Sequence, residues 1–256
     1  VVGLSLKLFL KPGESVNNRP LLLAAALSAV LGVFCFFLPD TPPKGGEAFP
    51  FRDAFDLLRD PSFGVFFGVS FLISLALSVY FSFTALFLEQ HGKVSPDNIG
   101  PIMTIGQWVE VLFMVLLPWF LNVLGMKWVL AIGALSWGVR YGLFAIGRPL
   151  ALLILGIALH GVCFNFFFTA GAMYVEQAAP PAISASAQSL FVLVTYGIGM
   201  TIGAVASGWL NEMLTREVTD PETGEVVKTT DWRTFWIVPC CIVMISFVLL
   251  LIFLRV

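Results

Sequence analysis

Long apolar runs separated by short polar turns dominate the pattern of hydrophobic and polar positions in this chain. Each run approaches or exceeds the roughly 20 apolar residues that a helix needs to cross about 30 Å of hydrocarbon. Membrane-spanning strands would alternate polar and apolar positions over about 10 residues, and these runs do not alternate. The pattern predicts an all-α, polytopic membrane protein with seven transmembrane helices, at residues 20–38, 63–88, 99–121, 127–147, 150–174, 188–210 and 232–254.

The composition fits this class of protein, because 58% of the residues are hydrophobic and only 12% are charged. A net charge of -2 gives no reason to expect a nucleic acid or another polyanionic partner. The four cysteines fall inside the predicted spans without the spacing of a disulfide framework or a metal site. We therefore expect no cofactor and no metal. An enzyme is also not expected, because no nucleophile is paired with a base.

The first residues, VVGLSLKLFL, have the composition of the end of an earlier apolar helix, which Lys11, Pro12 and Gly13 would terminate. A secretory signal peptide would need a charged start and a small-residue cleavage site, and this stretch has neither. We therefore expect other helices of the same protein to precede Val1.

Two connections are longer than the others. The segment from Pro39 to Ser62 begins with proline and glycine and then places Phe51, Phe55 and Leu58 on one helical face, which predicts a short helix at the membrane surface. A solvated linker with one packed turn is an equal alternative. The second connection, TREVTDPETGEVVKTTDW, has two β-prone runs around a turn, which predicts a polar hairpin.

Small residues recur at four-residue spacing in the span 188–210, at Gly199 and Gly203 and at Ala204 and Gly208. Such a face lets two helices approach each other closely. We therefore predict tight packing of this helix against a neighbour.

Glu110 is the most informative polar residue, because it lies in the middle of the apolar run GQWVEVLFMVLLPWF. A carboxylate at that depth costs on the order of 3 kcal/mol or more, and such residues commonly bind ligands or relay protons. Gln107 lies three residues earlier and therefore on the same helical face. The amide and the carboxylate could together bind the hydroxyl groups of a sugar ring. The alternative is a hydrogen bond between helices without a ligand.

Arg140, in the next span, is the natural partner for Glu110, because the two helices run antiparallel and both side chains lean toward their helix N-termini. It could also be purely structural, either paired or extended toward the nearer interface. In GIALHGVCFNFFF, His160 and Phe164 are four residues apart and share a face, with Asn165 adjacent. Such a surface suits stacking on a planar base and hydrogen bonding to its edge, although a histidine satisfied by a neighbour is the simpler alternative.

At these positions the sequence resembles the nucleoside:proton symporters of the major facilitator superfamily, the bacterial nucleoside permeases. The resemblance covers nearly the whole chain, and its blocks occur in the same order and spacing. They are IMTIGQWVEVLFMVLLPWFL, GMKWVLAIGALSWGVRYGLFAIGRP, HGVCFNFFFTAGAMYVEQAAPPAISASAQSLF and TDWRTFW.

The resemblance implies a transporter of twelve helices in two halves, which exposes a central site alternately to the two sides of a bacterial inner membrane. Residues 1–38 would then hold the tail of helix 5 and helix 6, residues 39–62 the cytoplasmic interdomain linker, and residues 63–256 the C-terminal six-helix half. The implied partners are a nucleoside, protons, membrane lipids and the preceding helices of the same transporter. The distribution of Lys and Arg would favour the opposite orientation, and we follow the resemblance.

The resemblance also implies roles for individual residues. The family's glutamine and glutamate on helix 8, which help bind the nucleoside, match Gln107 and Glu110. The family's aromatic residue on helix 10 matches Phe164.

The chain departs from the family at four positions. Ser78 and Phe81 stand where polar amides are expected, His160 stands where a tyrosine is expected, and Asn165 replaces an acidic residue. Loss of that carboxylate would either remove proton coupling or shift it to Glu110 or His160.

The sequence therefore predicts import of a nucleoside by proton symport. Gln107 and Glu110 would bind the ribose hydroxyls, Phe164 would stack on the base, and Asn165 or His160 would contact polar atoms nearby. The alternatives are a facilitator or exporter of another small polar molecule, and a non-transporting membrane sensor with the same fold.

Overall fold

The computed structural model of the chain describes residues 19–40, 50–219 and 226–255. These residues form helices joined by short turns, together with one two-stranded hairpin. The elements are α1 (Arg19–Cys35), α2 (Pro50–Asp56), α3 (Pro61–Gln90), α4 (Pro96–Leu124), α5 (Met126–Ile146), α6 (Leu150–Ala178), α7 (Ser184–Leu214), β1 (Thr215–Thr219), β2 (Val226–Thr230) and α8 (Trp232–Phe253). A 3-10 turn, Leu57–Arg59, joins α2 to α3.

Among the described residues, six helices, α3 to α8, are long and apolar enough to cross a membrane. They match the last six predicted spans, so this part of the prediction is confirmed. The first predicted span, residues 20–38, forms α1, which has 17 residues. At about 1.5 Å per residue such a helix is about 26 Å long. It is therefore shorter than the other six, because the chain turns after Cys35.

Local sequence signals explain where the long helices begin and end. The side chain of Asp60 accepts a hydrogen bond of 2.9 Å from the backbone N–H of Phe63, and Pro61 occupies the first position of α3. Gly125 and Gly147 follow α4 and α5 with φ angles of 77°, which glycine adopts without steric cost. These sharp stops allow the next helix to begin almost at once.

Short connections make successive long helices antiparallel. The start of α3 and the end of α8 therefore lie at one end of the bundle, where the Ser62 hydroxyl donates to the carbonyl oxygen of Arg255 at 2.9 Å. The first turns of α7 pack against α2 at this same end. The loops after α3 and α5 and the β-hairpin lie at the opposite end.

The hairpin predicted between the last two spans is confirmed. β1 and β2 are antiparallel, with Thr215 opposite Thr230 and Val218 opposite Val227. The predicted turn, residues 220–225, lies outside the described residues.

The short helix predicted between residues 39 and 62 is confirmed as α2. Ala54 is buried and Phe55 is half exposed, so α2 has one face toward the bundle and one face away from it. The side chain of Phe51 and the VVGLSLKLFL segment lie outside the described residues.

Of the small residues predicted to pack closely, Gly199 and Gly203 of α7 contact α3, whereas Ala204 and Gly208 are exposed and a Cβ atom on Gly208 would have nothing within 4 Å. A Cβ atom on Gly199 would overlap the side chain of Ser74, and one on Gly203 would lie 2.8 Å from Cβ of Ser78. The hydroxyl of Ser78 crosses this contact and donates to the carbonyl oxygen of Met200 at 2.9 Å. The two helices are thus joined with little side-chain volume between them.

Aromatic rings fill the centre of the bundle between α3, α5 and α8. Tyr141 stacks between Trp137 and Trp236, with ring centroids 5.8 Å apart on each side. α4 lies outside this centre, since only Gly106 and Leu117 of its 29 residues are buried, against ten of the 21 residues of α5. The site described below lies at the inner border of this exposed helix.

Candidate functional site

Three ionisable side chains form a line from the surface of α4 into the bundle. Nε2 of His160 lies 3.6 Å from Oε2 of Glu110, and Nδ1 of His160 lies 3.0 Å from Nη1 of Arg140. The side chain of Glu110 is 25% exposed and that of His160 is 8% exposed. Arg140 is fully buried. The line therefore connects an accessible carboxylate to an internal guanidinium through one imidazole.

A direct contact between helix backbones places Glu110 opposite His160. A Cβ atom on Gly161 of α6 would overlap the backbone of Val109 and Glu110 in α4. One turn away, a Cβ atom on Gly106 would lie 2.8 Å from the carbonyl oxygen of Ile157. Glycine is required at such points because any side chain would separate the helices.

Asn165 joins the same two helices through its side-chain amide. Its Nδ2 donates to the backbone carbonyl oxygen of Glu110 at 2.8 Å and to that of Gly161 at 3.0 Å. Its Oδ1 accepts a hydrogen bond of 3.3 Å from the hydroxyl of Thr169. Asn165 is fully buried and begins a π-helical stretch, Asn165–Thr169, a feature that is frequent at functional sites.

Aromatic rings surround the imidazole of His160. The Tyr80 ring stacks on it at 5.3 Å, while the rings of Phe81 and Phe164 lie 6.1 Å and 5.7 Å away. Phe81 is 50% exposed, Tyr196 on α7 is 38% exposed, and Phe164 is partly exposed. The Tyr196 ring lies 5.7 Å from that of Phe168, which in turn lies 5.6 Å from that of Phe164. The imidazole beside the carboxylate is therefore bordered by aromatic surfaces that a planar ligand can contact.

Arg140 lies among aromatic rings and donates one hydrogen bond. Its guanidinium carbon is 3.3 Å from the centroid of the Tyr80 ring and 5.1 Å from that of Trp137, which are favourable cation–π distances. Nη1 contacts His160, whereas Nε and Nη2 make no hydrogen bond to the described residues. The expected ion pair between Arg140 and Glu110 is therefore indirect, with His160 between them.

The other predicted site residues occupy two kinds of position. Gln107 is exposed on α4 one turn before Glu110, and Phe81 is exposed beside His160. Ser78 and Asn165 are buried, and their donor groups bond to backbone carbonyls within the bundle. Direct contact of these two residues with a substrate stays a prediction.

Sequence reasoning missed the tyrosines that border the site. Tyr80 precedes Phe81 in an apolar span, and Tyr196 lies in the π-helical stretch Leu193–Gly199 of α7. The sequence signal for these residues was a tyrosine within an apolar run. Ordinary tyrosines at a membrane interface give the same signal, so it does not identify a site. Trp137 was missed as well, and its Nε1 donates to the carbonyl oxygen of Cys163 at 3.1 Å, which fixes α5 against α6 beside His160.

The arrangement offers hydrogen-bonding groups next to exposed aromatic faces. A carboxylate and an amide can bind hydroxyl groups, the imidazole can donate to or accept from a polar edge, and the rings can stack on a base. No group of three His, Cys, Asp or Glu side chains within residues 19–40, 50–219 and 226–255 could hold a metal ion.

Comparisons with known proteins give a consistent result. Residues 9–256 match the family model described as "Nucleoside H+ symporter". YegT of Escherichia coli (strain K12) is 38% identical over 251 residues, which cover 94% of this chain and 57% of that protein. The nucleoside permease NupG of the same organism is 32% identical over 88% of this chain and 56% of that protein. The xanthosine permease of Escherichia coli (strain K12) is 28% identical over 87% of this chain and 55% of that protein.

Two crystal structures of the nucleoside transporter NupG share the fold at 30% sequence identity. One, of an aspartate-to-alanine variant, gives a TM-score of 0.78 over 99% of this chain and 63% of that chain. The other gives a TM-score of 0.73 over 94% of this chain and 61% of that chain. The chain thus spans little more than half the length of the relatives that it matches.

Proposed function

The chain belongs to the nucleoside H+ symporter family, and on that premise we propose that it forms part of a secondary transporter that imports nucleosides together with protons. Helices α3 to α8 would be the C-terminal six-helix half, and residues 39–62 would be the cytoplasmic linker that leads into it. The transporter would reside in a bacterial inner membrane. The relatives NupG, a nucleoside permease, and the xanthosine permease are both named for nucleosides, which supports this substrate class.

The observation that carries the proposal is the contact between Glu110 and His160 beside exposed aromatic rings. Gln107 and Glu110 would bind the ribose hydroxyls, because a carboxylate accepts hydrogen bonds from two hydroxyls and an amide can both donate and accept. Phe164 would stack on the base, with Phe81 as the second aromatic surface. A nucleoside combines these two chemistries, a vicinal diol and a planar ring, in one small molecule.

Glu110 is the proposed proton site. Protonation would neutralise a carboxylate that lies within an apolar helix, and this lowers the cost of moving it through apolar surroundings. If the substrate-loaded site changes its exposure only when Glu110 is neutral, the proton and the nucleoside move together. His160, in contact with the carboxylate, is the second group proposed to take part in coupling.

Asn165 and Ser78 are proposed to act through the helices that they join. Asn165 holds the backbone of Glu110 against α6, and Ser78 holds α3 against α7. In this proposal both residues fix the shape of the site, and any contact with the nucleoside is secondary.

Competition in proteoliposomes tests the substrate class. Full-length protein is assayed for uptake of labelled nucleosides against excess free ribose, free base or a 2',3'-dideoxynucleoside. The proposal predicts inhibition by intact nucleosides and little inhibition by the other three, because the ribose and base contacts act together. Equal inhibition by a free base, or no nucleoside uptake at all, would contradict it. Glu217→Gln, on the exposed hairpin, is the matched control for substitutions at Glu110.

A further inference from the structure

Arg140 is a permanent internal cation with an unusual partner. A guanidinium carries donors only and stays protonated in proteins. Its Nη1 lies 3.0 Å from Nδ1 of His160, so Nδ1 must accept that hydrogen bond with its lone pair. The imidazole is then neutral and carries its proton on Nε2, the nitrogen that lies 3.6 Å from Oε2 of Glu110.

Packing keeps the imidazole in this orientation. The ring of Tyr80 stacks on one face with an interplanar angle of 20°, and the rings of Phe81 and Trp137 approach edge-on at 81° and 88°. The same Tyr80 ring supports the guanidinium of Arg140. Rotation of the imidazole would therefore disturb several aromatic contacts at once.

The other ionisable groups near Arg140 do not provide an alternative anion. The hydroxyl of Tyr141 donates to the carbonyl oxygen of Ala76, and Cys163 is a buried free thiol. Among the described residues, the carboxylate linked most directly to Arg140 is that of Glu110, through His160. The positive charge is thus placed to act on Glu110 along a fixed line.

From this geometry we propose that Arg140 is a positioning residue, which holds His160 in the Nε2-protonated tautomer, so that the protonated nitrogen is the one that lies 3.6 Å from Oε2 of Glu110. Glu110 is then the member of the three that exchanges a proton during transport, while His160 orients it and Arg140 maintains the orientation. The inference rests on the proposed function for its role in transport. The tautomer of His160 can be measured without any transport assay.

The tautomer is tested by ¹⁵N nuclear magnetic resonance of full-length protein labelled at histidine and held in lipid at neutral pH. The signals of His160 are identified by their loss in His160→Phe, and those of His91 by their loss in His91→Gln. We expect His160 to give one protonated nitrogen, Nε2, and one bare nitrogen, Nδ1. A proton on Nδ1, or protons on both nitrogens, would overturn the proposal.

Two substitutions separate positioning from folding. Arg140→Met keeps the length of the side chain but removes the charge and the donor, so His160 should show both tautomers. Arg140→Lys keeps a charged donor and should restore the single Nε2-protonated form. An unchanged His160 spectrum in Arg140→Met would overturn the proposal. A thermal melt of each variant shows whether it is folded before its spectrum is interpreted.

Nucleoside uptake by the same samples distinguishes the two proposals. If His160 shows only the Nε2-protonated tautomer but the protein transports no nucleoside, the proposed function is contradicted and the positioning role of Arg140 stands. Flux that depends on Glu110, with His160 in the other tautomer, would contradict the positioning role alone.

Discussion

The side-chain amide of Asn165 donates a hydrogen bond of 2.8 Å to the backbone carbonyl oxygen of Glu110. This bond joins α6 to α4 at the residue proposed to bind substrate and proton. It also explains why an amide fits where the resemblance to nucleoside permeases leads one to expect an acid. An ionised carboxylate has no donor to offer to the two carbonyl oxygens that Asn165 contacts.

Asn165→Asp is therefore expected to lower both stability and uptake. The carbonyl oxygen of Gly161 still accepts from the backbone N–H of Asn165, so the loss of each side-chain hydrogen bond costs about 0.5 to 1.5 kcal/mol. The melting temperature of the purified protein and the nucleoside uptake rate measure the effect. Thr169→Val is the matched control, because it removes only the longer 3.3 Å bond to Asn165 and should cost less. Unchanged stability with stronger dependence on the proton gradient would contradict this account.

Gly161→Ala should displace α4 and with it Glu110. A Cβ atom at this position would overlap the backbone of Val109 and Glu110, which cannot move independently of its helix. We expect a large loss of uptake together with a lower melting temperature. Gly142→Ala tests the specificity of this effect, since a Cβ atom there has nothing within 4 Å and should be tolerated. Equal uptake rates and melting temperatures in the two variants would contradict the close contact between α4 and α6.

Phe164→Leu should weaken nucleoside binding while leaving the fold intact. An aromatic stacking contact contributes about 0.5 to 1.5 kcal/mol, which corresponds to a rise in KM of roughly 2- to 10-fold. Initial rates of uptake at varied nucleoside concentration give KM and kcat separately. Phe164→Tyr should keep KM near that of the unmodified protein. A fall in kcat with constant KM would point to a role in movement of the helices instead of stacking.

Asp231 begins α8, and its contribution should depend on pH. Oδ1 accepts from the backbone N–H of Thr234 at 3.2 Å, and Oδ2 accepts from the Thr234 hydroxyl at 2.7 Å. These bonds hold the pKa of Asp231 below its usual range. The stabilisation is therefore complete above the pKa of the unfolded chain and is lost as the pH falls through the lowered pKa of the folded state.

Asp231→Ala should accordingly lower the free energy of unfolding by about 1 kcal/mol at neutral pH. The difference from the unmodified protein should shrink as the pH approaches the lowered pKa. Denaturant titrations in detergent at several pH values measure it. Asp231→Asn keeps the acceptor for the backbone N–H of Thr234 but loses the acceptor for its hydroxyl, so it should cost less than Asp231→Ala and be insensitive to pH. If the loss of unfolding free energy in Asp231→Ala were the same at every pH, the ionised Asp231 carboxylate could not be the group that stabilises the start of α8.

Much of the fold could be predicted because the bilayer imposes simple rules on the sequence. Apolar length identified α3 to α8, and the turn residues between the β-prone runs identified the hairpin. Small-residue spacing identified the contact of α7 with α3 through Gly199 and Gly203. Length did not reveal that α1 ends at Cys35, because the apolar residues continue beyond it through the turn at Phe36 and Phe37.

The pairings within the site were harder to predict. The similar depths of Glu110 and Arg140 in their predicted spans suggested that the two side chains would meet directly, whereas His160 lies between them. That outcome depends on the rotation of three helices about their axes. The backbone contact at Gly161 fixes α6 against α4, and the Trp137 hydrogen bond fixes α5 against α6. The direction of the Asn165 amide depends on the π-helical stretch that it begins. No residue type or spacing in a single sequence records these features.

The most direct test of the central claim is uptake of labelled nucleoside by full-length protein in proteoliposomes, with and without an inwardly directed proton gradient, compared with Glu110→Gln. We predict that the gradient accelerates uptake by the unmodified protein and by Glu217→Gln. Glu110→Gln, which cannot exchange a proton at this position, should lose that acceleration. Gradient-driven uptake that persists in Glu110→Gln at the unmodified rate would contradict the assignment of Glu110 as the proton site.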